Sequence, residues 1–127
     1  MASKANILVV DDEEDIANLI KIALEKDGFK VETFKDPLLA LNHFKSNLKK
    51  FSVIVSDVRM PGMSGIELIA HIKKLEPKVN AMFMTAFDVD YIKPELEKYD
   101  YEIARIFQKP FSIKMLCEQI KIQLDNE

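Results

Sequence analysis

The sequence is poor in cysteine, glycine and proline, with one, three and five of them among 127 residues. The single cysteine, Cys117, excludes an intramolecular disulfide framework and a cysteine-rich zinc site, and it is read as a reduced intracellular thiol. Few glycines and prolines leave little room for linkers or low-complexity tracts. No apolar run approaches the roughly 20 residues of a membrane span, and the N-terminus lacks a signal peptide's apolar core. We therefore expect a cytoplasmic protein that makes no contact with membranes.

The chain also lacks an excess of positive charge. Its formal net charge is −3 and its sequence pI is about 5.5, whereas nucleic-acid-binding domains are usually strongly basic. We therefore expect no direct binding of nucleic acid. Hydrophobic residues make up 48% and charged residues 31%, a balance typical of globular proteins rather than disordered chains. The length predicts one domain that comprises residues 1–127.

Short apolar runs alternate along the chain with longer amphipathic segments. The apolar runs predict strands at 7–10, 31–34, 51–55, 79–84 and 103–107. The first, third and fourth of these strands are almost continuously apolar, which is typical of a sheet covered on both faces. Strands that alternate with helices predict an α/β protein in which five parallel strands form one sheet with helices on both sides.

Local signals mark where the first three helices begin or end. Gly28 predicts the end of the first helix, since glycine commonly follows a helix C-terminus. Asp36 followed by Pro37 predicts the start of the second helix. Ser64, with Glu67 three residues later, predicts a capping box at the start of the third.

The pattern is weakest between residues 86 and 102. Pro94 predicts a short fourth helix that starts there, with Leu96 as its main apolar anchor. Ser112 predicts the cap of a fifth helix, whose apolar residues lie on one face.

Polar residues with useful chemistry stand where the predicted strands end. Strand 1 ends at Asp11 and Asp12, strand 3 at Asp57, strand 4 at Thr85 and strand 5 at Lys109. In an open parallel sheet the carboxyl ends of the strands form the ligand crevice. We therefore expect three carboxylates, a hydroxyl and an ammonium to meet at one edge of the sheet.

This set of groups indicates metal-assisted phosphoryl transfer to an aspartate. Clustered carboxylates repel one another, and Mg²⁺ relieves the repulsion while it also binds phosphoryl oxygens. A carboxylate beside the metal can attack phosphorus as a nucleophile. A lysine balances the added phosphoryl charge, and a hydroxyl can donate a hydrogen bond to a phosphoryl oxygen.

The sequence resembles the receiver domain of two-component response regulators over almost its whole length. The resemblance is carried by four segments in the family's order: ILVVDDEED, VIVSDVRMPGMSGIEL, MFMTAF and FQKPFS. It implies a flavodoxin-like receiver fold with strand order 2-1-3-4-5. It also implies a phosphorylation switch of a two-component system or phosphorelay. Such a domain is no enzyme beyond phosphoryl transfer to itself and autodephosphorylation.

The resemblance assigns the metal and phosphoryl sites residue by residue. Asp57 would be the phosphoacceptor and, like Asp12, a direct ligand of Mg²⁺, while Asp11 would act largely through metal-bound water. The backbone carbonyl of Arg59 would be a further metal ligand. Lys109 would contact the phosphoryl oxygens.

The same resemblance describes a switch and points to a departure from it. Thr85 would turn toward the phosphoryl group, and Pro110 would follow a cis peptide bond. The family's aromatic partner of the threonine is replaced by Ile106, with Phe107 next to it. The switch is therefore weaker at strand 5, or another aromatic takes its place. Candidates are Phe87 and Tyr91 in segment 86–98, which we expect to move most on activation.

The expected partners are proteins. A sensor histidine kinase or a phosphotransfer protein would supply the phosphoryl group from a phosphohistidine. A surface around helix 4, strand 5 and helix 5 would pass the signal to a downstream protein or a fused output domain, or form a phosphorylation-dependent dimer. The sequence leaves open whether the chain is a stand-alone receiver or part of a longer protein.

Two other functions are less consistent with the residues. Phosphatases of the haloacid dehalogenase type need a second aspartate two residues after the nucleophile, where this chain has Arg59, and often carry a cap domain. Flavin-binding electron carriers of the same topology hold a phosphate in the loop after strand 1. The acidic run at 11–15 would repel that phosphate.

Overall fold

The computed structural model describes residues 5–86, 89–99 and 105–125, and within them five strands alternate with five helices. The strands are β1 (Asn6–Val10), β2 (Lys30–Phe34), β3 (Phe51–Asp57), β4 (Asn80–Thr85) and β5 (Ile106–Gln108). The helices are α1 (Glu14–Lys26), α2 (Pro37–Lys45), α3 (Gly65–Leu75), α4 (Val89–Lys98) and α5 (Ile113–Asp125). No helix among the described residues is both long enough and apolar enough to cross a bilayer.

The strands form one parallel sheet in the order β2-β1-β3-β4-β5. This order and the α/β class confirm the fold expected from the sequence. Each crossover between parallel strands contains a helix, as such connections require. Because β1 and β3 are neighbours and run in the same direction, the residues that end them meet at one edge of the sheet.

Side chains of each inner strand alternate between two hydrophobic clusters, one on each face of the sheet. Leu8 and Val10 of β1 face the cluster that α2, α3 and α4 cover. Ile7 and Val9 face the opposite cluster, which α1 and α5 cover. All four residues are fully buried, which explains why the strand reads as one continuous apolar run.

Several helix starts lie where the sequence placed them. The hydroxyl oxygen of Ser64 accepts a hydrogen bond from the Glu67 backbone N–H at 3.1 Å, and the Asp36 carboxylate accepts one from Leu38 at 2.8 Å. The Ser112 hydroxyl likewise accepts a bond from the N–H of Met115 at 3.2 Å. These caps satisfy backbone N–H groups that have no partner inside their helices.

The fourth helix differs from its prediction. It begins at Val89 rather than at Pro94, which lies inside the helix and is exposed. A proline within a helix removes one backbone hydrogen bond. Ile92 and Leu96, four residues apart on one face, are both fully buried, and their burial outweighs that loss. Strand β5 also begins later than predicted, while residues 103 and 104 of its predicted range lie outside the described residues.

Gly65 allows the start of α3 to pack directly against the end of β3. Its N–H donates a 2.7 Å hydrogen bond to the carbonyl of Val58. A Cβ atom at this position would overlap the backbone carbonyl of Asp57 and lie 2.8 Å from the Ser56 hydroxyl. Only glycine lets the two backbones approach so closely.

We expect Gly65→Ala to lower the free energy of unfolding by about 1–3 kcal/mol, because the added methyl group must displace the backbone at Asp57. Urea denaturation measures the loss, and amide chemical shifts at residues 56–58 should change with it. Gly62→Ala is the matched control, since Gly62 has φ +91° but no atom within 4 Å of a built Cβ. It should lose roughly 1 kcal/mol to backbone strain and leave the shifts at Asp57 unchanged. If both variants change the amide chemical shift of Asp57 equally, close packing of Gly65 against Asp57 is not the cause.

Candidate functional site at the carboxyl edge of the sheet

The candidate site is formed by residues at the ends of four strands. Asp11 directly follows β1, and its N–H donates a 3.0 Å bond to the carbonyl of Phe34, which fixes it beside β2. Asp57 and Thr85 were expected just beyond their strands, but the structure includes them as the last residues of β3 and β4. Asp11, Asp57 and Thr85 are buried, so these polar groups lie within the sheet edge rather than in solvated loops.

Three carboxylates converge at this edge. Asp11, Asp12 and Asp57 each offer one carboxylate oxygen such that these atoms all lie within 4.8 Å of one another. Asp12 is exposed, whereas the other two are buried. Oxygen donors at this spacing, with one of them open to solvent, fit a hard divalent cation such as Mg²⁺, which keeps several of its waters.

The ammonium of Lys109 reaches the same group of carboxylates from the end of β5. Its Nζ lies 3.2 Å from Asp11 Oδ2, 3.3 Å from Asp57 Oδ2 and 2.8 Å from Glu13 Oε1. Its backbone N–H donates a 2.6 Å bond to the carbonyl of Thr85, and its peptide bond to Pro110 is cis. The Lys109 side chain is only 10% exposed and both Asp11 and Asp57 are buried, so its interactions with these two carboxylates are poorly screened by water.

The electrostatics of the site follow from burial and from like charges. Burial, and then the negative charge of Asp11, raise the pKa of Asp57 to about 6, although Lys109 opposes the shift. Burial alone would lower the pKa of Lys109. Its hydrogen bond to Glu13 and the charges of Asp57 and Asp11 outweigh burial and raise that pKa above its ordinary value. Lys109 therefore stays positively charged at neutral pH.

The backbone just after Asp57 is held on both sides. The N–H of Val58 donates a 2.8 Å bond to the carbonyl of Met84, and its own carbonyl accepts the bond from Gly65. Arg59 is the next residue, so its backbone directly follows a segment that these hydrogen bonds hold beside the carboxylates. The side chain of Arg59 is exposed and lines a small cavity with Ser64 and Glu95.

The register of β4 and β5 decides which strand-5 residue can respond to Thr85. Phe83 pairs with Ile106 and Thr85 with Gln108, so Thr85 and Ile106 point to the same face of the sheet. Ile106 packs on the cluster under α4. Phe107 faces the opposite cluster, with its ring centroid 6.0 Å from that of Phe111, so it does not substitute for an aromatic at 106.

Of the two aromatics in segment 86–98 that the sequence suggests as substitutes for the switch residue, the structure describes one. Tyr91 lies on α4 and is 74% exposed, so its ring is not packed in the core. Phe87 lies outside the described residues.

Sequence reasoning missed one member of the site. Glu13 immediately precedes α1, and it forms the shortest of the three contacts of Lys109. The available signal was its place in the acidic run after β1, but that run alone does not show which carboxylate faces the lysine.

Comparisons with known proteins agree with this fold. A model of the response regulator receiver domain matches residues 7–121. The response regulator receiver protein CpdR of Brucella abortus is 30% identical over 118 residues, which cover 93% of this chain and 95% of that protein. The transcriptional regulatory protein YrkP of Bacillus subtilis is 40% identical over 121 residues, 93% of this chain, which spans about half (48%) of that longer relative. The solved structure of response regulator TrrA of Thermotoga maritima, in complex with Mg²⁺-BeF, has TM-score 0.79 and 29% identity over 94% of this chain and 98% of that one.

In the metal-free protein, ionisation of Asp57 should reduce stability as the pH rises. The folded-state pKa of about 6 lies above the ordinary 3.8, so between these values the folded state binds more protons than the unfolded state. The free energy of unfolding therefore decreases as the pH rises through this window. We expect the free energy of unfolding of Asp57→Asn to exceed that of the wild type by up to about 3 kcal/mol near neutral pH and by little near pH ~4. Urea unfolding in the presence of a chelator across this pH range measures the difference. If the extra stability of Asp57→Asn shrinks as the pH rises, the pKa of Asp57 is not raised in the folded protein.

Proposed function

The chain belongs to the response regulator receiver domain family, and we propose that it is a phosphorylation switch in which Asp57 accepts the phosphoryl group. Receiver domains are signalling domains of two-component systems rather than classical enzymes. The observation that carries the proposal is the convergence of Asp57 with two further carboxylates and the Lys109 ammonium at one edge of the sheet. We infer that turnover is limited to the chain's own aspartyl phosphate.

The proposed reaction is an in-line transfer from a phosphohistidine. A carboxylate oxygen of Asp57 attacks the phosphorus, the P–N bond breaks, and the imidazole leaves and takes up a proton. Mg²⁺ would supply positive charge next to the transferred group, held by the carboxylates of Asp12 and Asp57 and the carbonyl of Arg59, with Asp11 acting through water. The donor would be a sensor histidine kinase or a phosphotransfer protein.

Lys109 and Thr85 would recognise the phosphorylated state. The Lys109 ammonium already lies 3.3 Å from the Asp57 carboxylate, so it can follow the negative charge to the phosphoryl oxygens. Thr85 is the last residue of the neighbouring strand β4, and its hydroxyl would donate a hydrogen bond to a phosphoryl oxygen. Lys109 is also bonded to the Thr85 carbonyl through its backbone, which couples β4 to the start of the β5–α5 turn.

The signal would leave through α4, β5 and α5. Among the described residues of α4, Ile92 and Leu96 are the buried ones, and β5 is a three-residue edge strand. Elements held by few apolar contacts change position at low cost. The proposed receivers of this signal are a downstream protein, a fused output domain or a second copy that dimerises on phosphorylation, all in the cytoplasm.

We expect beryllofluoride to bind the protein only with Mg²⁺ and to change NMR signals around residues 57 and 85. Beryllofluoride imitates a phosphoryl group on a carboxylate, so Asp57→Asn should abolish the response. Asp15→Asn removes an equal charge from an exposed residue of α1, outside the carboxylate cluster, and should respond like the wild type. An undiminished response of Asp57→Asn, or one without Mg²⁺, would show that the phosphoacceptor assignment is wrong.

We expect activation to change hydrogen exchange chiefly in segment 86–98 and much less in β5. Ile106 is β-branched and has few χ1 options, so it cannot repeat the movement of an aromatic ring. Amide exchange with and without beryllofluoride measures the distribution. Ile106→Tyr is the matched variant and should extend the change into β5. The proposal fails if the wild type changes in β5 and α5 while segment 86–98 stays as it was.

A further inference from the structure

Glu13 holds the lysine of the site in a contact that the proposed reaction does not use. Its Oε1 lies 2.8 Å from Nζ of Lys109, closer than the Asp11 and Asp57 oxygens at 3.2 and 3.3 Å. The Lys109 side chain is 10% exposed and that of Glu13 is 57% exposed, so the pair joins a nearly buried cation to an anion at the rim.

The contact with Glu13 uses up the last donor of Lys109. A lysine ammonium has three N–H donors, and here each has one carboxylate acceptor. A phosphoryl group on Asp57 brings oxygens that need at least one of these donors. Of the three acceptors, Glu13 alone lies outside the carboxylate cluster and is the most exposed, so its contact is the one that a displacement of the ammonium toward a phosphoryl group would weaken most readily.

The backbone around Glu13 keeps its side chain beside Lys109. Its N–H donates a 2.9 Å bond to Asp11 Oδ1, and its carbonyl accepts a 3.2 Å bond from Ala17 in the first turn of α1. The Glu13 side chain makes no capping bond to the helix. The fold therefore fixes the position of Glu13 without depending on its carboxylate.

We propose that Glu13 is a positioning residue that restrains Lys109 in the unphosphorylated state and opposes the phosphoryl group. The inference rests on the proposed function, because it assigns a competitor for the lysine of that site. The Glu13 carboxylate acts against the phosphoryl group in two ways, since it holds the cation and it repels the incoming anion. Toward Mg²⁺ its effect is the reverse, because a nearby carboxylate attracts a cation and keeps Lys109 from pairing more closely with Asp11 and Asp57.

Glu13→Gln should therefore shift two affinities in opposite directions. At saturating Mg²⁺ we expect it to bind beryllofluoride about threefold more tightly than the wild type, the size typical of a partly exposed ion pair. Mg²⁺ alone should bind about twofold more weakly. Both differences should shrink in high salt, since the carboxylate of Glu13 is exposed. Calorimetric titration of the purified chain measures both affinities.

Two further variants separate the contact from the charge. Glu14→Gln removes the neighbouring charge, but Glu14 pairs with Lys35 at 3.4 Å rather than with Lys109. The affinities of this variant for beryllofluoride and for Mg²⁺ should therefore stay close to those of the wild type. Glu13→Asp keeps the charge on a shorter side chain, and it should bind beryllofluoride more tightly than the wild type but less tightly than Glu13→Gln.

The outcomes distinguish this inference from the proposed function. If Glu13→Gln and Glu14→Gln change both affinities alike, the specific role of Glu13 is overturned. Two affinities of Glu13→Gln that fall together would also overturn it, since a merely structural defect weakens both. If the wild type binds no beryllofluoride, the proposed function fails, and unchanged Mg²⁺ affinity in Glu13→Gln then overturns the inference on its own.

Discussion

Negative charges are confined at one end of the sheet, and a neighbouring strand has to supply the cation that balances them. Asp11 and Asp57 are buried side by side, and two buried carboxylates repel each other unless a cation lies between them. In this fold the cation is Lys109, which reaches both oxygens from the end of β5. The edge strand is thereby linked to the centre of the sheet through charge as well as through backbone hydrogen bonds.

This arrangement explains how a change at Asp57 can affect the other strands of the sheet. Lys109 is bonded through its side chain to the carboxylates and through its backbone to Thr85, so the ends of β1, β3, β4 and β5 share one network. A group that draws the ammonium away from Glu13 changes the balance of that network. A ligand shifts such an equilibrium only by its differential affinity for the two states, and the charges at this edge supply the difference.

The sequence predicted the elements whose signals are local. Continuous apolar strands end abruptly at Asp11, Asp57 and Thr85, and in a parallel sheet such ends must meet, so most of the site could be predicted from the amino-acid pattern alone. The start of α4 could not, because burial of Ile92 and Leu96 overrides the helix-breaking tendency of a proline.

Contacts between side chains from distant parts of the chain were also beyond sequence reasoning. The pairing of Glu13 with Lys109 depends on the rotamers of two long side chains. Which face of the sheet Ile106 points to, and therefore that it shares the face of Thr85, depends on the register of β5 against β4, which a three-residue strand does not reveal on its own. Predictions that rest on strand register or on long side chains therefore need the structure.

The role of Asp57 as phosphoacceptor is tested by locating the phosphoryl group after a small-molecule donor has been supplied with Mg²⁺. Borohydride reduction traps an acyl phosphate, and mass spectrometry of the peptides identifies the modified residue. We expect modification to be confined to Asp57 and to depend on Mg²⁺. Modification at another residue, or at Asp57 in equal amount with chelator, would show that Asp57 is not the phosphoacceptor.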